Sequence, residues 1–448
     1  MNQRWSLDEL YTSFDSDEFK CDFHRLEDGL TEIGSWVEKN TADREDAGHK
    51  IERYITMLND LSELYSRLES FSGLTLSVDA GNQRAAQAEE ILRQRIAALA
   101  RPQVKFQRWL LSIADLERII SERPLLREHR FYLNELEERG RYILSEDEEV
   151  LLARMRNTGS DAWSDLQRIL TSTLQVDITI NGSEKHLPLP VVRNIAYDSD
   201  RALRKNAYES ELKSYKKIEE SSAACLNGIK GEVITVSDMR GYSSPLEETV
   251  INSRMDMDTL NTMLSAMKES MPYFRRFYRK KARLLGYEGG LPFYDLFAPV
   301  GKKDLRFTYD EAREYIVKNF ATFSRPLADF ADLAFEKRWI DAEPRNGKRG
   351  GAFCSNLHAI GESRIMSNFT GSFSDVVTLS HEIGHGYHGS QLMDQSYLNS
   401  DYPIPIAETA STFCETIIKN AAMKDASDEE AFPILESDIS DSAQVIVD

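Results

Sequence analysis

Residues 372–392 leave the backbone little choice. Ser372-Phe-Ser-Asp375 has the hydroxyl and carboxylate of a capping box at the spacing that starts a helix. Val376, Leu379 and Ile383 recur behind it as an apolar stripe, so the pattern predicts a helix from about 373 to 392. Inside that helix, His381-Glu-Ile-Gly-His385 sets two imidazoles four residues apart, one above the other on the same face. Such a pair suits one tetrahedral Zn²⁺. Glu382, one step round the helix, can lean over a water on the metal without ligating it. Zinc brings the pKa of such a water to about 7, within reach of a carboxylate base.

A catalytic zinc site needs a third protein ligand and one open position. One common solution puts Gly three residues and His six residues after the second histidine; here those positions hold His388 and Gln391. The other common solution is a Glu from a following helix. Glu408 lies 23 residues after His385, beyond Pro403 and Pro405, with Ile406, Ala410, Phe413 and Ile417 at helical spacing. This predicts a second helix carrying Glu408 inward near its start. His388 is the rival ligand. It sits about 10 Å along the axis from His381, at 1.5 Å per residue, so a supporting or packing role fits it better. Glu415 is two turns beyond Glu408 on the same face. It is expected to accept a hydrogen bond from a liganding imidazole, with a solvated helix Glu as the plain alternative.

The run Asp375-Val-Val-Thr-Leu-Ser-His-Glu-Ile-Gly-His-Gly-Tyr-His388, with Ile406-Ala-Glu-Thr-Ala-Ser411, resembles the M3 family of zinc oligopeptidases, and within it the oligoendopeptidase F group. Arg240-Gly-Tyr242, Pro292-Phe-Tyr-Asp-Leu-Phe-Ala-Pro299 and Lys348-Arg-Gly-Gly-Ala-Phe-Cys354 are similar as well, and the resemblance runs from Trp5-Ser-Leu-Asp8 to the last residue. It implies a mainly α, multi-helical, two-lobed zincin of the HExxH-plus-Glu type (a gluzincin), with a small β-sheet beside the active-site helix. It implies one Zn²⁺ per chain on His381, His385 and Glu408, Glu382 as general base, and short peptides as substrates in a deep channel between lobes. Members of that family continue past the point where this chain stops. Their extra segment carries His and Tyr side chains that stabilise the oxyanion. The last residues, with Leu435, Ile439, Ala443 and Ile446 on one stripe, read as the middle of a helix. The chain is therefore expected to be truncated or one piece of a longer protein. Loss of one oxyanion donor costs about 10²–10³ in kcat, which keeps a second reading open: a helical binding protein that retains a zinc site without turnover. An aminopeptidase or carboxypeptidase would need a group to hold a terminal charge, and the sequence assigns none.

The net charge of −19 and pI near 5.0 argue against nucleic acid and anionic membranes as partners. Met1-Asn-Gln-Arg-Trp-Ser6 begins no signal peptide, and no apolar run approaches the length of a membrane span. Cys21, Cys225, Cys354 and Cys414 show no C-x-x-C spacing and read as reduced thiols of a cytoplasmic protein.

In chain order, residues 1–110 read as an N-terminal helical arm. The repeat from Ile51 to Leu68 rises, Phe71-Ser-Gly73 turns, and Ile91 to Leu99 return. Residues 111–190 read as a helical subdomain ending in a β-hairpin around Asn181-Gly182, with His186 a structural residue on it. Residues 191–448 would be the zinc-binding catalytic domain. Arg275 to Arg283 form a basic island, read as a solvated helix face. The turn at Lys348 to Gly351 lacks the G-x-x-x-x-G-K-[ST] pattern of a phosphate loop. Two short strands, at 351–357 and 364–369, flank His358 just ahead of the metal helix. A free strand edge there can hold an extended peptide by β-addition.

Overall fold

The computed structural model describes residues 2–301, 306–345 and 347–447. Among them are nineteen α-helices and five strands: β1 (Gln175–Ile180), β2 (Ser183–Pro188), β3 (Ile340–Asp341), β4 (Phe353–Leu357) and β5 (Glu362–Met366). The mainly α class is as the periodicity predicts. The chain forms two compact units, Met1–Arg154 with Leu305–Ile418, and Met155–Asp304 with Lys419–Asp448. The boundaries read from the sequence run in chain order, whereas each unit is assembled from separated stretches.

In the first unit, the Asp17–Asn40 and Ala47–Val78 helices bury Leu26, Ile33 and Val37 against Ile51, Tyr54, Ile55 and Leu58. The Ala47–Val78 helix runs unbroken through Phe71-Ser-Gly73, where the sequence predicts a turn. Phe71 and Leu74 are buried, and one Gly inside a helix costs only about 1 kcal/mol, which that burial offsets. The turn comes at 79–82, where the Asn82 side chain accepts from the Ala85 N–H (3.0 Å) and starts the next helix.

A second core joins the Tyr309–Phe320 and Arg325–Glu336 helices to the Phe373–Ser390 helix through Ile316, Phe320, Leu327, Phe335, Leu379 and Ile383. The three-stranded sheet lies between the two cores. Its order is β3-β5-β4, with β3 parallel and β4 antiparallel to β5. The two-residue period of a strand divides its side chains between layers: Phe353, Leu357 and Met366 join the first core, Cys354 and Ile365 the second. β4 is an edge strand.

Buried polar groups pin the loops around this sheet. The Arg364 side chain on β5 is fully buried and donates to Ser6 O (2.7 Å), Glu9 (2.9 Å) and Glu362 (2.8 Å), which holds the N-terminal segment over the strand. Lys348 is buried too, paired with Asp341 (2.7 Å) and donating to Ser367 O (2.5 Å). The basic turn that starts there is thus a structural anchor.

In the second unit, β1 and β2 pair from Gln175↔Pro188 to Ile180↔Ser183. Asn181 and Gly182 take φ of 53° and 77°, the left-handed pair of a type I′ turn. His186, which has no visible partner in the sequence, stands opposite Asp177 with Nδ1 2.6 Å from its carboxylate. One member of the basic island leaves the solvated face: Lys281 is buried and pairs with Glu436 (2.7 Å).

Arg364→Ala leaves Glu9 and Glu362 without their partner and empties a buried site on the central strand. The carboxylates left behind are partly exposed, so the loss is mainly that of the buried side chain and its hydrogen bonds, about 2–3 kcal/mol. Urea denaturation is expected to show a loss of that size.

Candidate metal centre

The Phe373–Ser390 helix starts with its capping box in place. Ser372 Oγ accepts from the Asp375 N–H (3.1 Å), and Asp375 Oδ2 accepts from the N–H groups of Ser372 (3.0 Å) and Thr370 (2.8 Å). Its apolar stripe is buried, which turns His381 and His385 to the other side with Nε2 atoms 3.1 Å apart. The Ile404–Asp425 helix brings Glu408, whose Oε2 lies 3.3 Å from His381 Nε2 and 3.6 Å from His385 Nε2. These three donors form a triangle. Tetrahedral zinc with bonds of about 2.0–2.1 Å needs neighbouring donors about 3.3–3.4 Å apart. Two imidazoles and one carboxylate at that separation therefore fit zinc in both chemistry and spacing. Glu382 joins them: the donor atoms of His381, Glu382 and His385 all lie within 4.8 Å of one another.

The triangle depends on how closely the two helices approach. A Cβ on Gly384 would stand 2.8 Å from both Ala410 O and Ser411 Cα. These are backbone atoms that cannot turn away, so only glycine permits this contact. It lies one residue from His385 on one helix and two or three from Glu408 on the other. Ser411 Oγ donates to Glu408 Oε2 (2.8 Å) and aims it. Glu415 Oε1 lies 2.6 Å from His381 Nδ1, which fixes the tautomer that leaves Nε2 free.

The loop joining the helices is held at several points. Ser396 Oγ meets His129 Nε2 (2.7 Å), the Leu398 N–H donates to Asn59 (2.9 Å), and His358 Nε2 lies 2.9 Å from Gln395 O. Asn356 on β4 ties the sheet to the same assembly: its amide reaches His385 O and Tyr402 Oη, both at 3.4 Å. A Cβ on Gly389 would overlap that amide at 2.2 Å. His388 stacks on Tyr402, ring centroids 4.4 Å apart, and stands outside the donor cluster among the described residues.

Burial of Glu382, 6% exposed, pushes its carboxyl up to about 7, with the charges of Glu408 and Glu415 adding to the rise and His381 opposing it. Burial also disfavours the His381 imidazolium, yet its hydrogen bond to Glu415 and the surrounding carboxylates carry its pKa above the usual histidine value. Burial and His381 together depress His385. Cys354, facing the cluster from β4, is a buried thiol pushed well up by burial and then by the Glu382 charge.

Sequence reasoning places His381, Glu382, His385, Glu408 and Glu415, and the structure brings all five together. It misses Ser411, Asn356, Tyr402 and the contact at Gly384. The one available signal is Gly384 itself, since glycine inside a helix usually has a packing reason.

The family model described as peptidase family M3 matches residues 194–444, and one described as oligopeptidase F matches residues 110–175. The chain is 24% identical over 436 residues to oligopeptidase PepF of Bacillus subtilis, covering 95% of this chain and 63% of that protein. It is 25% identical over 324 residues to group B oligopeptidase PepB of Streptococcus agalactiae, covering 71% of this chain and 53% of that one. It thus spans between about half and two thirds of the length of these relatives. In fold it is similar to the crystal structure of oligoendopeptidase-F from Enterococcus faecium, with a TM-score of 0.68 at 20% identity over 96% of this chain and 72% of that one. The structure of PZ peptidase A with an inhibitor gives 0.73 at 16% identity over 95% and 74%.

Two substitutions test this geometry. Glu415→Gln removes the charged partner of His381 and is expected to weaken zinc binding by about 10–100-fold, measured by competition with a chelator. Gly384→Ala drives a methyl group into the facing backbone. It is expected to cost about 1–3 kcal/mol in denaturation, and to weaken zinc binding well beyond Ala substitution at an exposed position of the same helix.

Proposed function

Because the chain belongs to peptidase family M3, we propose that it is a zinc-dependent endopeptidase that hydrolyses short peptides with Glu382 as general base. The observation that carries this reading is the triangle of His381, His385 and Glu408 donors at 3.1–3.6 Å with Glu382 beside it. When bound there, zinc would supply a Lewis acid for the scissile carbonyl and lower the pKa of the attacking water to about 7.

The remaining steps fall to the chain's own residues. Glu382 takes the proton of the attacking water and passes it to the leaving amine, as a buried carboxyl of high proton affinity is suited to do. Glu415 holds His381 in the tautomer that offers Nε2, and Ser411 keeps Glu408 aimed. The free edge of β4, tied to the histidine helix through Asn356, supports the further reading that the peptide lies along it as an added strand. Main-chain pairing of that kind tolerates many sequences, which suits an oligopeptidase. No helix among the described residues is long and apolar enough to cross a membrane. The acidic charge argues against nucleic acid and anionic membranes as partners, and the reading takes short peptides in the cytoplasm as the substrates.

The test pairs zinc content with cleavage of an internally quenched, end-blocked peptide, in the wild type and in Glu382→Gln. Zinc near one per chain is expected in both, with kcat/KM in the variant lower by about 10²–10⁴. Zinc without cleavage in the wild type would sink the endopeptidase reading for this 448-residue chain. Absence of zinc, with both histidines intact, would sink the metal assignment.

A further inference from the structure

The loop that leads into β4 has a fixed backbone and an exposed cation. Arg349 stands four residues before the strand. Its N–H donates to Ser77 O (2.8 Å), and its carbonyl accepts from Asn368 Nδ2 (3.0 Å), an amide that also reaches Gly351 O (3.0 Å). Lys348, next to it, is buried in its pair with Asp341. The Arg349 side chain, by contrast, is exposed and has no ion pair among the described residues. Its guanidinium carbon lies 5.8 Å from the ring centroid of Phe353, the first residue of β4. In a chain of net charge −19, this is an exposed cation resting on the Phe353 ring with no carboxylate paired to it among the described residues. The approach is open, since a Cβ on Gly350 or Gly351 would meet nothing within 4 Å.

The register along β4 places this cation relative to the chemistry. Asn356 hydrogen-bonds His385 O, and Cys354 feels the charge of Glu382, so these two strand positions are level with the metal helix. Phe353 lies one to three residues back, about 3–10 Å at 3.3 Å per residue. A peptide pairing antiparallel, the more stable arrangement per residue, would run its C-terminal side toward Phe353 and Arg349.

We propose that Arg349 is a specificity-determining residue that receives a carboxylate carried by the peptide about two or three residues beyond the scissile bond on its C-terminal side. The carboxylate is either the peptide's own C-terminus or an acidic side chain. Both present the two-oxygen fork that a guanidinium matches with paired N–H donors. The inference rests on the reading of β4 as the peptide edge and goes beyond it by naming what that edge selects.

The test uses quenched peptides in two matched pairs: one with a free or an amidated C-terminus, one with Glu or Gln two residues after the cleaved bond. Values of kcat/KM are taken for the wild type, Arg349→Gln and Arg349→Lys. The wild type is expected to favour the carboxylate member of at least one pair by about tenfold, the size of one charge-assisted hydrogen bond. Arg349→Gln is expected to bring that ratio near one, and Arg349→Lys to keep part of it. The ratio is internal to each variant, so a general loss of folded protein does not imitate the result. Response of the first pair identifies the terminus as the ligand, and response of the second identifies the side chain. A wild-type ratio near one in both pairs, or a ratio that survives Arg349→Gln, overturns the proposal. If no peptide is cleaved, the endopeptidase reading fails separately. Fluorescence anisotropy of the same labelled pairs on the zinc-loaded chain then decides: a preference lost in Arg349→Gln upholds the carboxylate site, and equal binding ends it.

Discussion

The site depends on one steric fact: two helices meet backbone to backbone at Gly384. Donor atoms from the two helices sit 3.3–3.6 Å apart, and the helices approach so closely that a Cβ on Gly384 would stand 2.8 Å from the facing backbone, where side chains ordinarily hold packed helices about 8–10 Å apart. Removing the Cβ at the crossing is the cheapest way to close that gap. It costs about 1 kcal/mol in helix propensity, and it places the tightest contact within three residues of His381, His385 and Glu408. Close packing then makes the geometry stiff, because neither backbone can yield without moving the whole element.

Stiffness at the crossing would be of little use if the helices could slide or roll, and the surrounding layers prevent this. The sheet lies between two cores, and its alternating side chains commit Phe353 and Leu357 to one and Cys354 to the other. Asn356 then couples β4 to the carbonyl of His385 and to Tyr402 in the loop before the Glu408 helix. That loop is held in turn by His129, Asn59 and His358. Buried charges such as Arg364 and Lys348 add little net stability when compared with apolar packing. Their partners include Ser6 and Glu9, more than 350 residues from Arg364, and Ser367 O across the sheet from Lys348, so they act by fixing which loop sits where.

What was legible in the sequence is what local chemistry encodes. The capping box, the histidine spacing and the Asn181-Gly182 turn each depend on a few neighbouring residues, and each is found where the pattern puts it. Glu408 is on a helix as its spacing predicts, but Ile406 and Phe413 of the stripe read there are exposed, and Ser411, Cys414 and Ile418 form the buried face instead. The turn expected at Phe71-Ser-Gly73 is absent because burial of Phe71 and Leu74 outweighs the local preference of one glycine. The pairing of His186 with Asp177 became visible only with the strand register. The roles of Ser411, Asn356 and Gly384 could not be read, because each is defined by what another element places opposite it. No local pattern carries that information.

The same cluster shows what a bound cation would do there. Glu382, Glu408 and Glu415 converge on two histidines, and the most buried of the three, Glu382, is raised by the charge of the other two as well as by its own desolvation. Packing brings these like charges together, and His381 opposes only part of the rise at Glu382. A divalent ion within the donor triangle would remove that repulsion and draw the carboxylates and imidazoles inward at once. Binding free energy of this kind adds directly to the stability of the fold that positions the ligands. The helix crossing that costs propensity at Gly384, and the buried carboxyl that costs desolvation at Glu382, are then two parts of one arrangement. Each costs free energy alone, and ion binding would offset both.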